Sequence, residues 1–107
     1  MADIDRTARA ELVGTMATTF LRLIDAAQDG SIPVGDFASA IEHEWNFGEE
    51  RGTLSERDRT AVKELFDVAV YYSPYAEERA RIANYRDEQD VLRAAKACRK
   101  ILAADVR

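Results

Sequence analysis

Apolar residues recur in this chain at steps of three and four, and no stretch of useful length alternates apolar with polar. That period lines them along one face of a helix and argues against a sheet with one wet face. Four segments carry such a stripe. Ile4, Ala8, Leu12, Met16, Phe20, Leu23, Ile24 and Ala27 predict one long first helix. A second starts at about Pro33, whose fixed φ suits a first turn, and sets Phe37, Ile41 and Trp45 on one face. Ser55 can cap a third, with Ala61, Val62, Leu65, Phe66, Ala69 and Tyr72 in its stripe. Asp87 can cap a fourth, with Val91, Leu92, Ala95, Cys98, Ile101 and Leu102. Residues 68–72 include β-formers but continue the third stripe, so they too are expected to be helical.

The connectors between these segments are residues 29–32, 47–54 and 73–86. The last opens on Ser73-Pro74 and predicts a short helix of its own, with Pro74 in its first turn and Glu77 and Glu78 favourable at its N-terminus. Short connections make neighbouring helices antiparallel, so the expected fold is all-α, an antiparallel four-helix bundle with one short extra helix between the third and fourth. At 107 residues the chain is long enough for one modest core, hence one domain spanning 1–107. Eighteen alanines against two prolines favour helix throughout.

No apolar run approaches the roughly 20 residues of a membrane span. The N-terminus carries Asp3 and Asp5 where a secretory signal would carry basic residues and then an apolar block. Cys98 is the sole cysteine, which excludes an internal disulfide and fits a reducing compartment. A cytoplasmic location is expected, with no membrane contact.

Charge is unevenly placed. Seven acids (Asp25, Asp29, Asp36, Glu42, Glu44, Glu49, Glu50) fall between residues 25 and 50, with no Lys or Arg among them. Residues 93–107 hold five basic side chains against Asp105. The acidic end suits a cationic partner and disfavours direct binding of nucleic acid. Catalytic signatures are missing. His43 has no second histidine one turn away for a helical zinc site, and Cys98 points inward by periodicity, as a packed thiol. Gly-rich phosphate loops, serine elbows and cysteine pairs do not occur, so no enzyme activity and no cofactor are expected.

Residues 25–37 imitate a calcium loop. An EF-hand takes ligands from positions 1, 3, 5, 7, 9 and 12, with Gly at 6 and a bidentate Glu at 12. Counting from Asp25, Asp29 and Gly30 fit positions 5 and 6. Position 3 is Ala27, which supplies no oxygen, position 9 is Pro33, and position 12 is the shorter Asp36. The same residues make a helix-to-helix connector: Gly30 in the left-handed conformation ends one helix, Asp29 or Ser31 accepts hydrogen bonds in the turn, and Pro33 starts the next helix with Asp36 in its first turn. No metal is expected there, and a degenerate single-site calcium binder is the lesser alternative.

The order of short motifs resembles a known family. Phe20-Leu21 at the end of a long helix is followed by Asp29-Gly30-Ser31-Ile32, Phe37, Trp45-Asn46-Phe47, Glu64-Leu65-Phe66-Asp67, Tyr71-Tyr72-Ser73-Pro74 and a late Asp87-Glu88-Gln89-Asp90-Val91-Leu92-Arg93. Across residues 15–103 this resembles the colicin D immunity-type family of small bacterial proteins. The resemblance implies a four-helix antiparallel bundle that acts without chemistry. Its inhibitory members plug the basic RNA-binding cleft of a cognate toxin nuclease with activity on transfer RNA, setting carboxylates where phosphates would lie. Such an acidic face gains on-rate and specificity from charge, and tightness from a few buried aromatic anchors.

Candidate contacts with such a nuclease domain are Glu42, Glu44, Trp45, Glu49 and Glu50, with Asp67, Tyr71 and Tyr75 if the fold brings them together. Trp45 also belongs to the apolar stripe, where it serves the core. Asp67 and Tyr71, four apart, fit the outer face of the third helix. A contact surface built instead on Arg93, Lys96, Arg99 and Lys100 would indicate an acidic partner. The protein is expected to be a monomer or weak dimer. The other reading is a helical interaction module with no toxin partner.

Overall fold

A computed structural model describes residues 17–104, with side chains through Leu102. The described residues are all-helical. They form α1 (Thr18–Gln28), α2 (Val34–Phe47), a 3-10 turn (Glu50–Thr53), α3 (Glu56–Ala69), the short α4 (Ala76–Arg81) and α5 (Glu88–Ala104). The expected stripe positions Ile4, Ala8, Leu12 and Met16 lie outside the described residues. Ala17 (φ −136°, ψ 16°) is not helical, so α1 starts at Thr18 and is not the tail of one unbroken helix from residue 4.

The remaining stripes meet in one core. Phe20 and Ile24 of α1, Phe37 and Ile41 of α2, Val62 and Leu65 of α3, and Val91 and Leu102 of α5 are all sealed from water. Helix α3 packs along α5 and against α2; α1 packs on α5 and α2. Each buried Leu, Ile or Phe contributes about 1.5–3 kcal/mol, so these eight side chains dominate the stability of the fold.

Local chemistry sets the helix ends. At the close of α1, Ser31 donates its backbone N–H to the Ala26 carbonyl (2.8 Å) and Gly30 to that of Ala27 (3.3 Å). This paired pattern requires a left-handed residue, supplied by Gly30 at φ +82°. Pro33, extended, precedes α2, and Asp36 sits in its first turn. The Ser55 hydroxyl accepts from the Asp58 N–H (3.1 Å) to cap α3. Asp87 and Asp90 cap α5 reciprocally, each carboxylate accepting from the other's backbone N–H (2.8 and 3.2 Å).

Two expectations change. Helix α3 stops at Ala69, short of Tyr72. Arg86 donates its N–H to the Tyr71 carbonyl (2.8 Å) and Ser73 its own to the Arg86 carbonyl (3.0 Å), so the chain leaves the helix to join an isolated bridge between Tyr72 and Arg86. Pro74 stands outside α4, before its N-cap Tyr75, although Glu77 and Glu78 do occupy the first turn. Buried Ser73 organises this excursion. Its hydroxyl donates to Glu78 (2.8 Å) and accepts from the Tyr75 N–H (3.2 Å), while its carbonyl accepts from Arg79 (2.6 Å).

Cys98 packs in the core as the periodicity predicts. Burial, with smaller contributions from the charges of Asp58 and Glu64, pushes its thiol up to about 12 from an ordinary 9.0. Between those values the unfolded chain gives up the thiol proton and the folded chain keeps it, so stability falls as pH rises. Urea unfolding of the wild type is expected to show this decline above pH 9, and the Cys98→Ala variant to lack that component.

Candidate functional site

The candidate residues gather around the C-terminal end of α2 and the 3-10 turn that follows. Gly48 caps the helix in an extended conformation, its N–H donating to the Glu44 carbonyl (2.9 Å). A Cβ there would lie 2.7 Å from the Glu44 carbonyl oxygen, closer than real side chains come, so glycine is what the corner admits. Beyond it, Glu44, Glu49 and Glu50 line one shallow open cleft with Thr19 and Thr53. Glu42 and Glu49 are exposed, and Glu44 is half-buried.

Glu50 has a role that local sequence does not announce. Both of its carboxylate oxygens accept from the Thr19 N–H (3.0 Å each), and Oε1 also from the Phe20 N–H (3.4 Å). Ala17 has no side-chain oxygen with which to cap α1, and Glu50 takes that place from 31 residues away. The anion also lies at the positive end of the helix dipole.

Trp45 is half-buried, as expected of a stripe residue. Its ring lies 5.7 Å from that of Phe66, and the Arg51 guanidinium sits 5.6 Å above it. Lys63 stands 5.6 Å from the Phe66 ring and pairs with Asp67. Trp45 and Asp67 therefore belong to one connected strip across α2 and α3. Tyr71 and Tyr75 are exposed but ride on the excursion around Ser73. Among the described residues, no hydrogen bond, ion pair or ring contact links them to Glu42, Glu44, Glu49 or Glu50.

Sequence reasoning passed over Phe47 as a contact residue. It is 76% exposed, the most exposed large apolar side chain among the described residues, and its ring lies 5.3 Å from that of His43. The signal was present: Phe47 falls two residues after Trp45, off the buried stripe and one turn from exposed His43.

Two acids of the calcium-like segment, Asp25 and Asp29, are engaged within the fold. Asp25 accepts from the Arg99 guanidinium, tying the acidic segment to the basic last helix. Asp29 accepts from both the hydroxyl and the N–H of Ser31, which hold its carboxyl below the usual range. Among the described residues, no three His, Cys, Asp or Glu side chains group to hold a metal ion, and no helix is long and apolar enough to cross a membrane.

Electrostatics distinguish the α2 tip. A helix C-terminus carries partial negative charge, which cations stabilise and acids oppose. The acids in the last turns of α1 and α3 are neutralised, Asp25 by Arg99 and Asp67 by Lys63. The last turn of α2 has Glu44 and no basic residue, and Glu49 and Glu50 follow directly. Among the described residues no ion pair engages Glu42, Glu44 or Glu49. No protein-family model, curated protein or solved structure matches this chain.

The Glu50 cap yields a measurable expectation. Glu50→Ala should lower the unfolding free energy in urea by about 0.5–2 kcal/mol, the usual worth of an N-cap. Glu50→Gln, which keeps an acceptor oxygen, should lose less. An unchanged midpoint in Glu50→Ala would show that the bond does not hold α1.

Proposed function

We propose that this chain is an immunity-type protein, cytoplasmic and bacterial, which binds and inhibits a toxin nuclease through the acidic tip of α2. On this reading α1, α2, α3 and α5 form an antiparallel four-helix bundle that acts as a rigid mount and performs no chemistry. The partner is the basic nuclease domain, whose RNA-binding cleft takes carboxylates in place of phosphates.

One observation carries the reading: among the described residues, Glu42, Glu44 and Glu49 crowd the negative end of a helix with no ion pair to offset them. That arrangement costs stability, since each acid opposes the helix dipole and repels its neighbours. A local rule broken without structural gain is the mark of a surface kept for binding. A cationic cleft supplies the missing charge, and long-range attraction speeds encounter by about 10- to 1,000-fold over a neutral surface.

The residues divide by availability. Glu42 and Glu49 are exposed, and among the described residues no ion pair engages their carboxylates, so they are the free contacts. Glu44 contributes from the cleft wall. Glu50 adds its charge while capping α1, and Trp45 stiffens the platform beneath. Asp67 lies at the far end of the same strip; Tyr71 and Tyr75 would form a separate contact area.

The test requires a nuclease domain encoded by a neighbouring frame, catalytically inactivated. Glu42→Lys with Glu49→Lys should slow its association at least about tenfold at low salt and flatten the dependence of the rate on ionic strength. Stopped-flow mixing measures both. Rates insensitive to the two reversals and to salt would contradict the acidic-face mechanism, and a neighbouring frame that encodes no such domain would contradict the immunity role.

A further inference from the structure

Phe47 is the one phenylalanine that the fold leaves in water. Phe20 and Phe37 are fully buried, and Phe66 is covered in part by Trp45. Phe47 is the last residue of α2, directly before Gly48, and the His43 ring lies 5.3 Å to one side. A rigid aromatic ring loses little conformational freedom on binding, and interface energy concentrates in such residues when a ring of polar contacts shuts out water.

The surroundings decide what can cover it. Within five residues on either side stand Glu42, Glu44, Glu49 and Glu50, while the one cation, Arg51, lies over Trp45. A second copy docking tip to tip would bring two sets of carboxylates together. Anionic lipid headgroups and nucleic acid would be repelled in the same way. A basic protein surface alone satisfies both the ring and its rim.

We infer that Phe47 is the apolar anchor of the α2 tip, and that the partner is a basic protein with a pocket for one aromatic ring inside a rim of Lys and Arg. This rests on the acidic-face reading above and adds to it a division of labour: the carboxylates set the rate of association, and the ring sets the lifetime of the complex. Charges act at long range before contact, whereas a buried anchor acts only once the pocket has closed on it.

That division makes the two readings separable. With the full-length protein and the inactivated nuclease domain encoded beside its gene, Phe47→Ser should raise the dissociation rate by about 30-fold or more, the scale of a hot spot, and leave the association rate within about twofold. Phe47→Leu should restore most of the lifetime. Because the ring is exposed, the thermal midpoint of the free Phe47→Ser protein should stay in place. An unchanged dissociation rate, with association still slowed by reversal of Glu42 and Glu49, overturns the anchor and leaves the acidic face standing. A drop in the free protein's thermal midpoint also overturns it, because the ring would then be part of the fold. Failure of the wild type to bind the domain overturns both.

Discussion

The carboxylate of Glu50, held against the first turn of α1, is the interaction on which the arrangement of this protein turns. Helix α1 begins after a residue with no side-chain acceptor, and its exposed N–H groups need one. Glu50 reaches them from the turn between α2 and α3 and ties that turn to the start of α1. With the turn fixed, the Gly48 corner, the cleft beside it and the exposed end of α2 are fixed as well. A contact that reads as a helix cap thus also sets the geometry of the candidate binding surface.

The same residue marks where stability and function part. Elsewhere the described helices follow helix electrostatics, apart from Asp29 at the C-cap of α1, which Ser31 holds. Acids occupy the first turns of α2, α3, α4 and α5, and the acids near the ends of α1 and α3 have cations beside them. The end of α2 departs from this: among the described residues, Glu42, Glu44 and Glu49 gather there with no cation paired to them, beside the exposed ring of Phe47. Both departures are unfavourable for an isolated protein, and both are relieved by one kind of surface, cationic with an apolar pocket. Their coincidence at one corner gives the functional reading its weight.

Much of the fold was legible in the residues. The stripes through Phe20 and Ile24, Phe37 and Ile41, Val62 and Leu65, and Val91 and Leu102 named the core, because period alone decides which face is buried. Ser55, Asp87 and Gly30 announced helix ends by chemistry that acts within a few residues. What escaped was contact between distant segments. The Glu50 cap spans 31 residues, and the bridge that ends α3 early depends on Arg86. The site divided in the same way. Residue types and the missing Lys and Arg could be counted, but the half-burial of Trp45 under Arg51, the structural duty of Glu50 and the isolation of Tyr71 and Tyr75 needed three dimensions.

The central claim is that the acidic end of α2 is the binding surface and the basic outer face of α5 is not. Amide hydrogen exchange of the protein, free and bound to the inactivated nuclease domain, tests it most directly. Slowed exchange through residues 42–51, with Arg93, Lys96 and Lys100 unchanged, is the predicted footprint. Protection confined to the α5 face, with residues 42–51 exchanging as in the free protein, would contradict it.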